Sequence, residues 1–417
     1  RPPHSTRWAE PGSSSSLDRS LSGLSADPAG PARVGPMSAQ PDPPTGVDGS
    51  RKPRVAVVFG GRSSEHAISC VTAGSVLAAI DSQAYDVIPI GISREGRWVL
   101  SGTSPEQLAI TDGRLPAVED TGAAVVLAGD PTSRELVTMR PGAVPRALGE
   151  VDVVFPLLHG PYGEDGTLQG LLELAGIPYV GSGVLSSAVA MDKEYMKKLF
   201  VAAGLPVADY LVVRPRDWER DKVAVAERVA GLGWPVFVKP ARAGSSIGIT
   251  KVPGPQQLSA AIETAREWDP KVLVEAAVVA REVECGVLDS LGGDVPETSV
   301  VAEIKVRGGH EFYDFEAKYL PDEGTEYVVP ADLPDEVADE VRRLAVAAFQ
   351  AMGCEGLARV DFFLRPDGSL LLNEVNTMPG FTPVSMFPVM WRESGVPYPE
   401  LVDRLIKLAL RRPTGLR

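Results

Sequence analysis

The sequence predicts an α/β protein built from several units, and three observations carry that prediction. A continuous apolar run, Val55-Ala56-Val57-Val58-Phe59, stops at Gly60-Gly61, as does a strand buried on both faces of a parallel sheet. Helix-like and strand-like segments alternate after it, which implies an open α/β layer with ligand sites at the carboxyl ends of its strands. Far downstream, two β-rich runs, Leu357 to Leu364 and Ser369 to Val375, flank Arg365-Pro366-Asp367-Gly368 and read as a hairpin closed by a tight turn.

Length and composition bound the rest. A chain of 417 residues with 44% apolar content can fill two or three ordinary cores. A formal charge of −14 argues against a general nucleic-acid or anionic-membrane surface, so an anionic ligand must meet a local cluster of lysine and arginine. Cys70, Cys285 and Cys354 lie far apart, without CxxC spacing, and fit buried thiols in a reducing compartment better than disulfides or zinc. No apolar run reaches the roughly 18 residues of a membrane span, and the first 50 residues hold no signal-peptide core, so neither membrane insertion nor export is expected.

Residues 1–50, rich in Pro, Ser, Gly and Ala, lack a periodic apolar pattern and are expected to form a disordered tail, with Met37 as an alternative start. A first unit, 51–190, holds strand Arg54 to Phe59, helix His66 to Ile80, strand Asp86 to Ile92, strand Val151 to Leu157 and helix Gly166 to Ala175, with weak signals over 101–150. Two glycine-rich turns, from Gly60 to Glu65 and from His159 to Gly166, fall at strand ends, where a glycine pair is ordinarily only a turn. A second unit, 191–277, contains helix Asp192 to Ala203, strand Asp209 to Val213, a helix through Val223 to Leu232, and strands Pro235 to Lys239 and Ile249 to Val252. Between the last two lies a small-residue loop, Pro240 to Gly248, suited to closing backbone N–H groups over phosphates; a flexible hairpin connection is an equally good reading. It lacks Walker A spacing. Strand Val272 to Glu275 leads into a third unit, 278–417, with Arg281-Glu282-Val283-Glu284, strand Ser299 to Lys305, a polar loop over 306–325 long enough to be a lid, helix Pro334 to Met352, the hairpin, and helices after Ser385.

Alternation along the hairpin puts Arg359 and Asp361 on one face of its first strand, and Glu374 and Asn376 two apart on its second. Carboxylates and an amide are the oxygen donors Mg²⁺ takes when phosphates and water fill its other positions, and the guanidinium would stabilise developing negative charge. A merely solvated hairpin face is the alternative. It is weakened by the apolar residues at the intervening positions.

The pieces GGRSSEHAIS, LLHGPYGEDGTLQG, GIPYVGSG, MDKEYMK, VFVKPARAGSSIG, FYDFEAKYL, ARVDFFL and NEVNTMPGFTPVSMFP occur in this order, and over roughly 54–411 the chain closely resembles the D-alanine–D-alanine ligases of the ATP-grasp superfamily. The resemblance implies a three-domain ATP-grasp fold with an N-terminal open α/β domain, ATP and two Mg²⁺ ions between the central and C-terminal domains, and D-alanine as substrate. It implies that ATP phosphorylates one D-alanine carboxylate and that the amine of a second D-alanine attacks the acyl phosphate. On matching positions, Lys193 and Lys239 would hold the α- and β-phosphates and Lys318 the γ-phosphate, with Ser245 and Ser246 in the phosphate loop. Asp361, Glu374 and Asn376 would ligate the metal, Arg359 would stabilise the acyl phosphate, and the Gly380 N–H would serve as an oxyanion donor. Glu65 would bind the first ammonium group and link to Ser245 and Tyr319; helix capping by Ser63 or Ser64 is the structural alternative. His159 would lie near the first substrate, and Ser385 with the Met386 backbone would hold the second substrate's carboxylate, although many relatives carry Leu at the latter position. Glu275 would meet the adenine amino group and Glu282 the ribose, while Ala276-Ala277 departs from the Lys-aromatic pair common in relatives.

The same resemblance suggests a homodimer through the first domain, Mn²⁺ as a substitute ion and K⁺ as an activator. A D-lactate-using ligase is the nearest rival reading, and the Lys318-Tyr319 pair counts against it. An inert nucleotide-binding relative would be expected to have lost Arg359, Lys318 or a metal ligand.

Overall fold

The computed structural model describes residues 51–102, 104–111, 114–244, 246–306 and 325–413. The predicted tail over 1–50, all but the two end residues of the predicted lid over 306–325, and Ser245, Lys318 and Tyr319 lie outside the described residues.

Three sheets follow one another along the chain. The first orders its strands β6-β5-β4-β3-β2-β1-β7, where β1 is Arg54–Gly60, β2 Asp86–Ile92, β3 Trp98–Leu100, β4 Ala124–Leu127, β5 Glu135–Met139, β6 Arg146–Glu150 and β7 Val153–Pro156. Strand β1 pairs in parallel with both β2 and β7, and its alternating side chains enter two different cores. Val55, Val57 and Phe59 pack towards helix α1, His66–Ala79; Ala56 and Val58 pack towards α2, Thr167–Leu174. That double burial explains the unbroken apolar run. The stretch with weak signals, 101–150, holds a 3₁₀ turn at Pro105–Leu108 and then strands β4 to β6, which with β3 form an antiparallel extension of the sheet. Helix α3, Val184–Met191, was also not anticipated.

The second sheet orders β10-β9-β11-β8, with β8 Tyr210–Val213, β9 Val236–Pro240, β10 Thr250–Val252 and β11 Val272–Ala276. Strand β11 lies between β8 and β9, so Val272 to Glu275 belongs to this sheet. Helix α4, Lys193–Ala202, precedes this sheet; α5, Pro215–Arg220, α6, Lys222–Ala230, and α7, Pro255–Arg266, accompany it. Helix α7 went unpredicted although Pro255 at its first turn and Leu258, Ala261, Ile262 and Ala265 on one face are helix signals.

The third sheet orders β14-β13-β12-β15-β16, with β12 Arg281–Leu288, β13 Glu297–Val306, β14 Thr325–Val328, β15 Leu357–Leu364 and β16 Leu370–Asn376. Its apolar face, including Val283, Cys285, Val360, Phe362, Leu372 and Val375, packs with α4 and with α8, Asp335–Ala351. Helices α9, Met386–Glu393, and α10, Tyr398–Arg411, close the chain; α10 buries Leu401, Val402, Leu405, Ile406 and Ala409 in the core of the first sheet. All three described cysteines are buried and free, as expected, and burial pushes each thiol up to about 12.

Candidate active site

Register decides what the third sheet offers. Arg359 pairs with Asn376 and Asp361 with Glu374, but Phe362 pairs with Leu372, so Asn373 is an extra residue in β16. Such a bulge reverses the alternation on one side of it. Leu372 therefore enters the core while Glu374 and Asn376 join Asp361 and Arg359 on the opposite face. The neighbouring strand adds Glu284, directly across from Asp361, and Glu282, across from Phe363.

Several polar groups on this face bond to one another. The Arg359 Nε and Nη2 donate to the two Asp361 oxygens at 2.8 Å each, and Nε lies 3.2 Å from Glu284 Oε2. Asn376 Nδ2 donates to Asp361 Oδ2 at 3.0 Å, which leaves the Asn376 amide oxygen as a further acceptor. Burial opposes the charge on Arg359, yet Asp361 and Glu284 outweigh it and raise its pKa well above the ordinary value. Glu284 is a site residue that the sequence reading passed over. Its signal was the two-residue spacing from Glu282 in Arg281-Glu282-Val283-Glu284-Cys285. Among the described residues no three His, Cys, Asp or Glu side chains converge as a ready-made metal cage; two carboxylates and an amide face one another instead. That donor set fits an Mg²⁺ ion whose remaining ligands are phosphate and water.

Opposite charges arrive from the second sheet and from α4. The Asp192 side chain caps α4 by accepting from the Glu194 N–H at 3.1 Å, and Lys271 Nζ braces that cap with contacts to Asp192 at 2.6 and 2.8 Å. Capping sets Lys193 at the head of the helix, where Nζ donates to the Ala243 carbonyl at 2.8 Å and lies 3.7 Å from Glu374 Oε2. Lys193 thus touches both the 240–248 loop and a predicted metal ligand. One helical turn on, Lys197 is 1% exposed at its side chain and sits 2.5 Å from Glu275 Oε1, while Lys239 Nζ pairs with Glu275 Oε2. Burial alone would raise the Glu275 carboxyl, but the two ammonium groups hold it well below the usual carboxylate range. Burial pulls the Lys197 ammonium down from its ordinary value, against the pull of Glu275. Lys197 was not among the predicted residues.

In the loop itself, the Ile247 N–H donates to the Gly244 carbonyl at 3.1 Å and Ser246 adopts a positive φ of 58°. Gly248, at φ +72°, admits no side chain: a Cβ there would lie 2.7 Å from Trp268 and 2.9 Å from Pro240. The second sheet passes to the third through 276–280, beside a cavity of about 330 Å³ lined by Ala276, Ala277, Val278 and the hairpin turn at Arg365 and Pro366. None of Lys193, Lys239, Asp361 or Glu374 lines it.

The first sheet contributes Glu65, His159 and Glu164. Glu65 is the residue immediately before α1, and its own N–H donates to Ser63 Oγ at 3.2 Å; neither Ser63 nor Ser64 caps the helix, and Glu65 is not in its first turn, contrary to the capping alternative. A Cβ on Gly160 would lie 3.0 Å from Glu65 Oε2, and one on Gly244 3.4 Å from the same oxygen. Glu65 therefore sits between the 159–160 turn and the 240–248 loop. The linkage predicted with Ser245 and Tyr319 falls outside the described residues. His159 Nδ1 donates to the Met378 carbonyl at 3.2 Å, and its buried Nε2 has no hydrogen-bond partner among the described residues. Burial lowers its pKa against the pull of Glu65, so the ring is neutral and Nε2 is an open acceptor. Glu164, absent from the prediction, accepts from the Gly160 N–H at 2.7 Å, and burial followed by repulsion from Glu65 pushes it up to about 8.

Beyond the hairpin, Ser385 precedes α9, Met386 opens it, and Ser385 Oγ accepts from the Thr382 N–H at 3.1 Å. A Cβ on Gly380 would lie 3.2 Å from Ser385 Oγ, so glycine allows this close approach. Tyr398 donates to the Phe381 carbonyl at 2.7 Å, tying the 377–385 segment to α10.

An acid-rich sheet face, an array of lysines and a glycine-rich loop on separate units meet at Lys193, an arrangement that fits a metal-nucleotide complex. Comparison with known proteins is specific. The D-ala D-ala ligase N-terminus family model matches residues 54–182 and the C-terminus family model matches 199–407. The chain belongs to the D-alanine–D-alanine ligase family, with its ATP-grasp fold. It is 62% identical over 375 residues to the D-alanine--D-alanine ligase of Streptomyces griseus, covering 88% of this chain and 95% of that one. With the ligase of Streptomyces avermitilis it shares 59% identity over 389 residues, 91% of this chain and all of that one. Among solved structures, the VanG D-Ala:D-Ser ligase from Enterococcus faecalis superposes with a TM-score of 0.74 at 38% identity, covering 86% of this chain and 100% of that one. The D-alanine-D-alanine ligase from Coxiella burnetii gives 0.72 at 35% identity, covering 86% and 94%.

Proposed function

We propose that this protein joins two D-alanine molecules at the expense of ATP, forming D-alanyl-D-alanine, ADP and phosphate for peptidoglycan precursor synthesis in the cytoplasm. The observation that carries this reading is the meeting of Lys193 with both the 240–248 loop and Glu374, because it brings the base-rich and acid-rich surfaces to one point. In the proposed reaction the carboxylate oxygen of the first D-alanine attacks the γ-phosphorus, and the bond to the β-bridging oxygen breaks to release ADP. Lys193 and Lys239 hold the α- and β-phosphates, Ser245, Ser246 and Lys318 complete the grip, Glu275 takes the adenine amino group and Glu282 the ribose. Asp361, Glu374 and Asn376 would hold two Mg²⁺ ions, which supply charge neutralisation at the phosphates, with Mn²⁺ as a substitute and K⁺ as an activator. Glu65, with His159 beside it, positions the first substrate through its ammonium group. The second D-alanine, held through its carboxylate by Ser385 and the Met386 backbone, must reach the acyl phosphate as a free amine. Its nitrogen attacks the acyl carbon, phosphate leaves, and Arg359 with the Gly380 N–H stabilises the oxyanion.

Three separate sheets, one in each stretch, support domains at 51–190, 191–277 and 278–417. Leu174 and Leu185, 72% and 71% exposed on α2 and α3, support a homodimer through the first of them. Because a D-Ser ligase is among the similar structures, the test is product analysis by mass spectrometry with ATP, Mg²⁺ and D-alanine, alone and in competition with D-serine and D-lactate. D-alanyl-D-alanine as the dominant product in every mixture is expected. A mixed product dominating the competition would overturn the assignment of the second substrate.

A further inference from the structure

Glu275 is 4% exposed, and its two oxygens differ. Oε2 is held by Lys239, whereas Oε1 lies 2.5 Å from Lys197 Nζ and still lacks an aligned hydrogen bond. A buried carboxylate oxygen in that condition has an unused lone pair and is an acceptor for one more donor. The base of a nucleotide presents either an exocyclic amine, which donates, or an oxo group, which accepts. An ionised carboxylate accepts only, so it takes the first and rejects the second; a protonated one could donate to the oxo group. Selectivity for the base therefore rests on the charge state of Glu275.

Lys197 is placed to fix that state. Its ammonium contacts Glu275 on the second sheet and donates to the carbonyl of Asn373, the bulged residue of the third, at 3.5 Å. Such a contact set, on a lysine with a nearly inaccessible side chain, costs desolvation that only a fixed negative partner offsets. Lys239 cannot serve this purpose throughout, since it is also the residue assigned to phosphate. Lys197, one turn along α4 from Lys193, faces no phosphate assignment.

We propose that Lys197 is a specificity-determining positioning residue: held between Glu275 and the Asn373 carbonyl, it keeps the Glu275 carboxylate an acceptor-only group, so that the site selects a 6-amino over a 6-oxo purine nucleotide. This rests on the reading that Glu275 meets the base. The probes are ATP and ITP, which differ in the group on C6 and in the proton that the 6-oxo base carries on N1, with affinities measured calorimetrically in the presence of Mg²⁺ and kcat/KM measured for ligation. The wild-type protein should favour ATP, and Lys197→Met should reduce the ATP-to-ITP ratio about tenfold, the loss of roughly one charge-assisted hydrogen bond, with the KM for D-alanine unchanged. Lys197→Arg, which keeps the charge, should retain the ratio, and it carries the test should the methionine variant fail to fold. Glu275→Gln should lose the ratio as Lys197→Met does, and the double variant should lose no more than either alone. A wild-type protein indifferent to the base, or a Glu275→Gln variant with an unchanged ratio, would take down the assignment of Glu275 and this proposal with it. If Glu275→Gln loses the ratio while Lys197→Met keeps it, or Lys197→Arg loses it, only the role of Lys197 is overturned.

Discussion

The polar face of the third sheet and the lysine cluster beside the second are opposite answers to one electrostatic problem. On the third sheet four carboxylates, Glu282, Glu284, Asp361 and Glu374, share a face with one guanidinium, Arg359, which contacts Asp361 and Glu284. Around Glu275, two lysines surround one carboxylate, and Lys193 lies a turn away on the same helix. Each surface carries an excess of one charge that its own side chains do not cancel. An acid excess calls for cations and a base excess for an anion, so in the proposed function a magnesium–triphosphate complex between them would satisfy both. The overall charge of −14 says nothing of this; only the local distribution does.

The comparison is broken most severely by removing Glu374, whose Oε2 lies 3.7 Å from Lys193 Nζ and whose partner across the ladder is Asp361. Glu374→Ala takes away the carboxylate at which the acid-rich and base-rich surfaces touch. It should abolish measurable ligation with thermal stability little changed, which activity assays and thermal denaturation would register. Arg359→Ala spares the carboxylates but removes the guanidinium that Asp361 and Glu284 hold. It should lower kcat by about a thousandfold, the scale of a lost oxyanion partner, while ADP affinity by calorimetry changes little; unchanged turnover would remove its assigned role. Asp361→Asn should raise the Mg²⁺ concentration needed for half-maximal activity about 10- to 100-fold, read from a magnesium titration at saturating ATP.

The smallest effect lies where the two clusters meet the first sheet. Glu164 feels Glu65, Glu374 and Lys193, and its carboxyl is raised to about 8, above its value in an unfolded chain. The native protein then holds a proton that the unfolded chain has released, so this group's contribution to stability is present at low pH and is lost as pH rises through about 8. Glu164→Gln should flatten the fall in stability between about pH 4.5 and 8, checked by denaturant titration across that range; a variant with the wild-type slope would contradict the assignment.

How much of this the sequence revealed depends on how far apart the partners lie. The hairpin was legible because its turn, its alternation and its polar residues occupy one stretch of 20 residues, 357–376. Even there the bulge at Asn373 was invisible, since two leucines and an asparagine before Glu374 fit a regular ladder as well as a bulged one. Strands β3 to β6 were missed because they are short and partly exposed, with little apolar pattern; β6 reads Arg-Ala-Leu-Gly-Glu, with a glycine at φ +97°. Lys197 and Glu275 are 78 positions apart, and no spacing rule joins a lysine on a helix to a glutamate on a strand of another layer. Glu164 stood inside a quoted motif, but only the fold shows it beside Glu65.

The central claim, that both surfaces serve one nucleotide whose γ-phosphate passes to D-alanine, is tested most directly by the stoichiometry of a single reaction mixture. With purified protein, ATP and Mg²⁺, phosphate release should depend on D-alanine, and each phosphate should be matched by one ADP and one D-alanyl-D-alanine. Phosphate release indifferent to D-alanine, or ADP formed without dipeptide, would contradict the account.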